Sequence, residues 1–494
     1  LLVPQKLQTP PRPYPVHIPT PFLLERETNV TTPGQIFGLF LFFLVNLTLF
    51  IRPKEISEDL DFLSYETLII ACFLTSFSVI YQQFTKESLV NRPISVCVLG
   101  IWLAVVISHF FSPPHHYFFL WGVRESGFKF FKVLVYYFLL VGLVDTAPRL
   151  RRFLIWLVLM ILLLTVLSLL HYHALINIEA IRIAYQLEEI KEGEDFRYED
   201  LPLDDLGNVI EGVKITTRLA SLGFFNDPND LCMILVVGMG ISLFWLNNRR
   251  AGILGYLWLI PIGVFGYTFF LTKSRGGFLA FMTGLLVLFH ARFGWYRSIL
   301  LSIVVVPIML VVFQGRMTSI SSSESTAQLR IQLWSEGLDY FREAPLFGIG
   351  EGQYAEQPGI IQVAHNTYIH CFAELGFFGG TLFLGAFFFS VWALYRLGTR
   401  QFQILDPEQR RLRPYILAII AGYVTSMLTL SRFTIVPTYM ILGIAASYFR
   451  VTRVYPPLVE MRFNSKLVRR FILVSVVFLI ATYFYVRLTV RWST

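Results

Sequence analysis

The chain has 494 residues and a formal net charge of +8; 55% of its residues are hydrophobic and only 15% are charged. Water-soluble domains carry roughly 25% charged residues, which excludes a wholly soluble globular chain. The charges lie between long apolar runs, many of which approach or exceed the roughly 18 residues that cross a bilayer as a helix.

Taken in chain order, residues 1–33 hold eight prolines and mixed charge, and read as a disordered cytoplasmic tail rather than a signal peptide. Spans are expected at 34–51, 64–82, 92–111, 127–146, 153–171, 228–246, 252–270, 276–290, 297–314, 369–395, 412–430, 433–449 and 469–487. The expected fold is therefore an all-α polytopic membrane protein of about 12–13 transmembrane helices, since backbone left unpaired in lipid is costly. The divisions are the tail 1–33, a helical block 34–171, an external segment 172–227, a core 228–449 that includes a second external segment 315–368, and a C-terminal part 450–494 with the last span. Cys72, Cys97, Cys232 and Cys371 all fall in or beside apolar runs, with spacing that makes neither a metal site nor a disulfide framework.

Orientation follows from arginine and lysine in short loops. Arg149, Arg151, Arg152, Arg249, Arg250, Arg292, Arg297, Arg396, Arg400, Arg410, Arg411, Arg413, Arg450 and Arg453 share one side, which is expected to be cytoplasmic along with the N-terminus. These loop arginines account for the net positive charge, so nucleic acid is not an expected partner. A phosphate-binding loop of the glycine-rich, Lys-Ser/Thr type is also missing, which argues against ATP or GTP hydrolysis.

Four polar groups sit at span boundaries, where charge is expensive without a partner. In TTRLASLGFFNDPNDL, Asn226 or Asp227 is placed to cap a helix with Pro228 in its first turn, and Arg218 stands in an otherwise uncharged stretch. In FFLTKSRGGFLAF, Lys273 and Arg275 put two positive charges in a tight external turn; they either snorkel or hold an anionic group such as a lipid diphosphate. AQLRIQLWSEGLDYFREAPLFGIGEGQY reads as an amphipathic helix carrying Arg330, Leu333, Trp334 and Leu338, either packed on the bundle as a lid or contributing Arg330 to a site. It ends in the turn-rich Pro345–Gly350. In QVAHNTYIHCFAELGFFGG, His365 lies just outside a span, with His370 and Glu374 at its start. A histidine there is either a cap or a proton acceptor, and His370 is more simply a packed side chain.

These pieces, in this order, resemble the bacterial O-antigen ligase and O-antigen polymerase superfamily. The resemblance runs from about Arg218 to Phe449, and its marks are Arg218 with Asn226-Asp-Pro-Asn229, Ser274-Arg275-Gly276, Arg330 with Trp334, Pro345-Leu-Phe-Gly348-Ile-Gly350, and His365-Asn366 with Glu374-Leu-Gly376. It implies a fold like that of membrane-embedded glycosyltransferases that use lipid-linked donors. The implied location is the bacterial cytoplasmic (inner) membrane. The implied donor is a glycan on undecaprenyl diphosphate, with a glycan, lipid or protein acceptor, membrane lipid around it, and no metal, nucleotide sugar or other cofactor. It carries a catalytic role to His365, Arg275 and Arg218, and donor binding to Arg275, Arg218, Arg330 and Lys273. The alternative is a polysaccharide or lipid transporter or flippase, for which discontinuous helices in matching halves are the expected sign.

Overall fold

The computed structural model describes residues 33–56, 63–111, 119–181, 184–187, 195–196, 215–312, 325–356, 362–457 and 462–491. The proline-rich segment 1–32 and most of the acidic stretch 188–205 lie outside the described residues. The long helices are α1 (Pro33–Ile51), a broken pair α2 (Tyr65–Thr75) and α3 (Phe77–Tyr81), α4 (Pro93–Phe111), α5 (Phe119–Leu143) and α6 (Ala147–Tyr172). They continue with α7 (Pro228–Leu246), α8 (Leu259–Thr272), α9 (Arg275–Phe293), α10 (Trp295–Val312), α11 (Ser325–Glu343), α12 (Thr367–Arg396), α13 (Pro407–Ser426), α14 (Val436–Val451) and α15 (Ser465–Thr489). Among the described residues, nine helices are long and apolar enough to cross a membrane, and ten if the broken pair, bent by 73°, is one span.

A helix stands at each of the thirteen expected places, but not every one meets that span criterion. The start of α13 carries Glu408, Arg410, Arg411 and Arg413, and α14 has only 16 residues. The fold is also not purely helical. Three short strands, β1 (Ala184–Leu187), β2 (Asp195–Phe196) and β3 (Ile215–Arg218), form an antiparallel sheet in the order β2-β1-β3. Gln403–Ile404 pairs with Val454–Tyr455 in a second. The first sheet joins segments that pair across about thirty residues of polar chain, Ala184 opposite Arg218, and strands of two to four residues leave no readable alternation.

Small residues allow a close helix contact between α9 and α13. A Cβ on Gly284 of α9 would come within 3.2 Å of the Ala418 carbonyl oxygen on α13, and one on Gly422 within 3.1 Å of that of Ala280. Two backbones can approach this closely only where side chains are minimal, which is how helices associate in lipid, where the hydrophobic effect between them is absent. On the outside, Leu254, Ile260, Phe270, Leu300, Leu473 and Phe484 are exposed. An apolar surface of this extent is untenable in water and fits contact with lipid tails.

The polar residues sort to two ends. At one end Arg151 pairs with Glu408, Arg292 donates to the Tyr415 hydroxyl at 2.7 Å, and Arg411 to the Asn247 carbonyl at 3.2 Å. There too Arg413 donates to the Leu394 carbonyl at 3.0 Å and Arg450 to that of Val141 at 2.6 Å. The other end, from which the long segments after α6 and α10 emerge, carries the residues singled out from the sequence and is called the loop end below.

Candidate functional site at the loop end

The site is assembled from helix starts. Asp227 caps α7, its carboxylate accepting from the Asn229 amide at 2.6 Å, with Pro228 at the first helical position. Ser274 caps α9, its hydroxyl accepting from the Gly277 amide at 2.9 Å and donating to the Asn229 side-chain oxygen at 2.6 Å. Arg275 is thus held as the first residue of α9, half-buried. Lys273 ends α8 in the left-handed region, φ 48°. A Cβ on Gly276 would meet the Thr429 hydroxyl at 2.4 Å, and one on Gly277 the Cys232 side chain at 2.5 Å. The two glycines therefore let the start of α9 seat against α7 and against the turn after α13. Unpaired amides at such helix starts favour anions.

Arg218 closes β3 and is buried. Its Nε donates to the Thr272 carbonyl at 3.1 Å, and its Nη2 lies 3.5 Å from the Asn229 side-chain oxygen. Asn229 therefore touches both Arg218 and Ser274, and brings the first two sequence groups together.

The histidine group joins through α12. Asn366 caps that helix, its side-chain oxygen accepting from the Tyr368 and Ile369 amides at 3.1 and 3.3 Å. Thr367 ties the helix start to the turn after α13: its amide donates to the Met427 carbonyl at 2.8 Å and its hydroxyl to that of Leu430 at 2.6 Å. His365 precedes the cap with φ 46°. Among the described residues, the other non-glycine residues with positive φ, Arg52, Ala174 and Lys273, follow helix ends, where a left-handed residue is the ordinary terminator. His365 has no such reason, and a left-handed conformation costs it roughly 1–2 kcal/mol. The helix α11 supports it: the Trp334 indole donates to the Ala364 carbonyl at 2.8 Å, and Ile331, Leu333 and Leu338 are buried. Arg330, one turn before Trp334, is half-buried on the same helix. The amphipathic segment thus packs on the bundle, against α12 and α15.

The turn-rich Pro345–Gly350 has a specific seat. Gly376 interrupts α12 with φ 62° and ψ −165°, and the backbone groups released by the break are paired by this segment. The Phe377 and Phe378 amides donate to the Pro345 and Leu346 carbonyls at 2.8 and 3.1 Å, and the Ile349 and Gly350 amides to the Ala373 and Glu374 carbonyls at 3.0 and 3.1 Å. Such pairing lets a break persist inside a span. A Cβ on Gly376 would lie 2.4 Å from the Leu346 carbonyl carbon. Gly376→Ala is expected to lose several kcal/mol, since the left-handed backbone alone costs about 1–3 kcal/mol and the overlap adds to it. Gly252→Ala has similar strain, φ 55°, but open space around it. Thermal unfolding in detergent checks this: equal losses in the two variants would contradict the contact argument.

Two features were missed from the sequence. Asp230, fully buried in the first turn of α7, receives two hydrogen bonds from Arg432, Nε to Oδ1 at 2.8 Å and Nη2 to Oδ2 at 2.6 Å. The Arg432 amide also donates to the Thr367 hydroxyl at 3.1 Å. The signal was present: an acid just inside an apolar helix, and an arginine in the two-residue gap between the spans expected at 412–430 and 433–449. The second is the partners of Glu374, which was singled out with His370 but without Tyr354 or Glu351: its Oε1 accepts from the Tyr354 amide at 3.0 Å. His370 packs edge-on against Tyr354 and Phe433. Its Nε2 lies 3.0 Å from Glu374 Oε1, but the approach is too poorly aligned for a hydrogen bond. Burial, and then the charge of Glu374, raise the Glu351 carboxyl above the ordinary carboxylate range.

Among the described residues no group of three or more His, Cys, Asp or Glu side chains is placed to hold a metal ion. No curated protein matches the chain. Residues 260–384, about a quarter of the chain, match the family model Wzy_C, described as O-Antigen ligase; the matched stretch runs from α8 into α12 and contains Lys273, Arg275, Arg330, His365 and Glu374, while Arg218, Asp230 and Arg432 lie outside it.

Proposed function

We propose that the chain transfers a glycan from an undecaprenyl diphosphate carrier to an acceptor hydroxyl, with the loop end on the external face of a bacterial cytoplasmic membrane. The observation that carries this reading is the convergence of three helix or strand termini, bearing Arg218, Lys273–Arg275 and His365, on one end of the bundle, two of them within the stretch that matches the O-antigen ligase model. In the proposed reaction the acceptor oxygen attacks the anomeric carbon and its proton passes to His365. The bond from that carbon to the diphosphate oxygen breaks, and its electron pair leaves with the diphosphate. Arg275 and Arg218 offset that charge, Lys273 and Arg330 adding to the field. Guanidinium suits this role because its planar fork matches phosphate oxygens.

Arg275→Lys is therefore expected to lose most transfer activity while accumulating normally in the membrane. The check is complementation of a deletion strain, read as surface glycan and as glycan retained on the lipid carrier. A ligase role leaves long chains on the carrier when the gene is absent, and a polymerase role leaves single repeat units. Full complementation by Arg275→Lys would remove the diphosphate clamp.

Orientation has its own test. Glu356 and Arg400 are exposed at opposite ends, and the four native cysteines are buried. A cysteine at Glu356 is expected to react with an impermeant thiol reagent in spheroplasts, and one at Arg400 only after lysis. The reverse pattern would invert the orientation.

The transporter reading draws support from the breaks at Ser76 and Gly376. They do not sit in matching halves, and the second is filled by the chain's own Pro345–Gly350 rather than lining an open path.

A further inference from the structure

A second polar feature opens at the loop end. A cleft of about 730 Å³ lies between the end of α1, the start of α2, the outer half of α5, and the Thr434–Val436 segment. Its chemistry differs from that of the arginine group. Three of the cleft's bases are matched to acids: Arg52 pairs with Glu55, Lys132 with Glu66, and Lys129 with Glu125, and one further base, Lys54, and one further acid, Glu351, stand in the same lining. A ligand carrying net charge of either sign meets opposing charge here. A ligand rich in hydroxyls does not, because each hydroxyl both donates and accepts and can bridge a carboxylate to an ammonium. Glu351 reaches the lining from the turn after Pro345–Gly350. Its carboxyl is half-buried and offers acceptor oxygens to sugar hydroxyls. Phe224 also stands in the lining and holds the Arg52 guanidinium over its ring at 4.5 Å.

We propose that this cleft is a saccharide-binding subsite, with Glu66, Lys132 and Glu351 as its hydrogen-bonding groups. The proposal rests on the transferase reading, because what it adds is where a neutral sugar sits relative to the lipid diphosphate. Continuity supports it. Thr434 follows Arg432 by two residues and Phe224 follows Arg218 by six, so the lining shares backbone with the arginine group. The sugar belongs either to the donor glycan or to the acceptor, and the cleft chemistry serves both.

The test uses the full chain purified in detergent. Thr67 is exposed in the cleft, and Thr67→Cys provides a single reporter, since Cys72, Cys97, Cys232 and Cys371 are buried. The probe is the host's own surface oligosaccharide, released from its lipid by mild acid. It is expected to slow maleimide labelling of that cysteine, and Glu351→Gln to weaken the protection, while inorganic pyrophosphate gives none. Absence of protection by the oligosaccharide, or equal protection by pyrophosphate, overturns the proposal. A second arm measures transfer by Glu66→Gln, a surface change that leaves the fold alone. KM is expected to rise about tenfold, the loss of one hydrogen bond to a charged group, with kcat kept. A rise for the acceptor places the acceptor glycan in the cleft, and a rise for the donor places the donor glycan there. Unchanged KM for both overturns it. The labelling arm reads sugar binding even if the wild-type chain transfers nothing, so failure of the transferase reading and failure of the cleft proposal give different results.

Discussion

Arg432→Met is expected to cost about 3 kcal/mol of stability, and to lower the unfolding midpoint in detergent by about 5 °C. The reason is Asp230. Its carboxylate is fully buried and takes two hydrogen bonds from the Arg432 fork. Removing the arginine leaves that carboxylate in a low-dielectric site with no opposite charge, which is where breaking a buried pair is most expensive. About a third of the Arg432 side chain meets solvent, so the loss is placed at the low end of the range for buried pairs. Asp230→Asn should cost less, because the amide keeps the shape and the arginine can turn toward water. The double variant Asp230→Asn, Arg432→Met should then recover much of the loss seen in Arg432→Met alone. A non-additive cycle of this kind is the signature of direct coupling, and strict additivity would show that the pair does not hold α7 to the turn after α13.

His365→Asn is expected to cut glycan transfer by roughly 10²–10⁴-fold, the range for loss of a group that moves a proton in the rate-limiting step. Asparagine is the informative replacement. It tolerates the left-handed backbone that His365 adopts, so the path into the start of α12 at Asn366 and Thr367 stays intact while the imidazole is lost. Normal membrane levels, retained binding of the lipid-linked donor, and loss of turnover together fit the proton-acceptor role. His370→Ala is expected to act differently. His370 is buried between Tyr354 and Phe433, so its truncation should lower stability more than turnover.

The helix starts were legible because their causes are local. Asp227 with Pro228 caps a helix through an atom two residues away, the tight turn at Lys273–Gly277 lies between two apolar runs, and the amphipathic run around Trp334 shows its apolar face directly in its spacing; that Ser274 caps the helix after that turn was missed. What was illegible depends on residues far apart in the chain. Asp230 and Arg432 are separated by 202 positions, and neither alone says whether it is solvated, snorkelling or paired. The break at Gly376 was hidden because glycine is common within spans and the pairing that sustains the break comes from Pro345–Gly350. That segment read only as a turn. The cleft lined by Glu66, Lys132 and Glu351 required the folded arrangement, since Glu66 and Lys132 fall in the first turns of two expected spans and Glu351 in the external segment 315–368, and nothing local to any of them points to the others.

The measurement that bears most directly on the transferase reading is turnover by the purified protein, given a host-derived lipid-linked glycan donor and the matching acceptor in detergent. The account predicts that undecaprenyl diphosphate is released in step with glycan appearing on the acceptor, and that His365→Asn and Arg275→Lys both suppress the coupled products while the donor still binds. Donor bound but never cleaved by the wild-type protein, or intact donor carried across the membrane of a sealed vesicle without transfer, would contradict it.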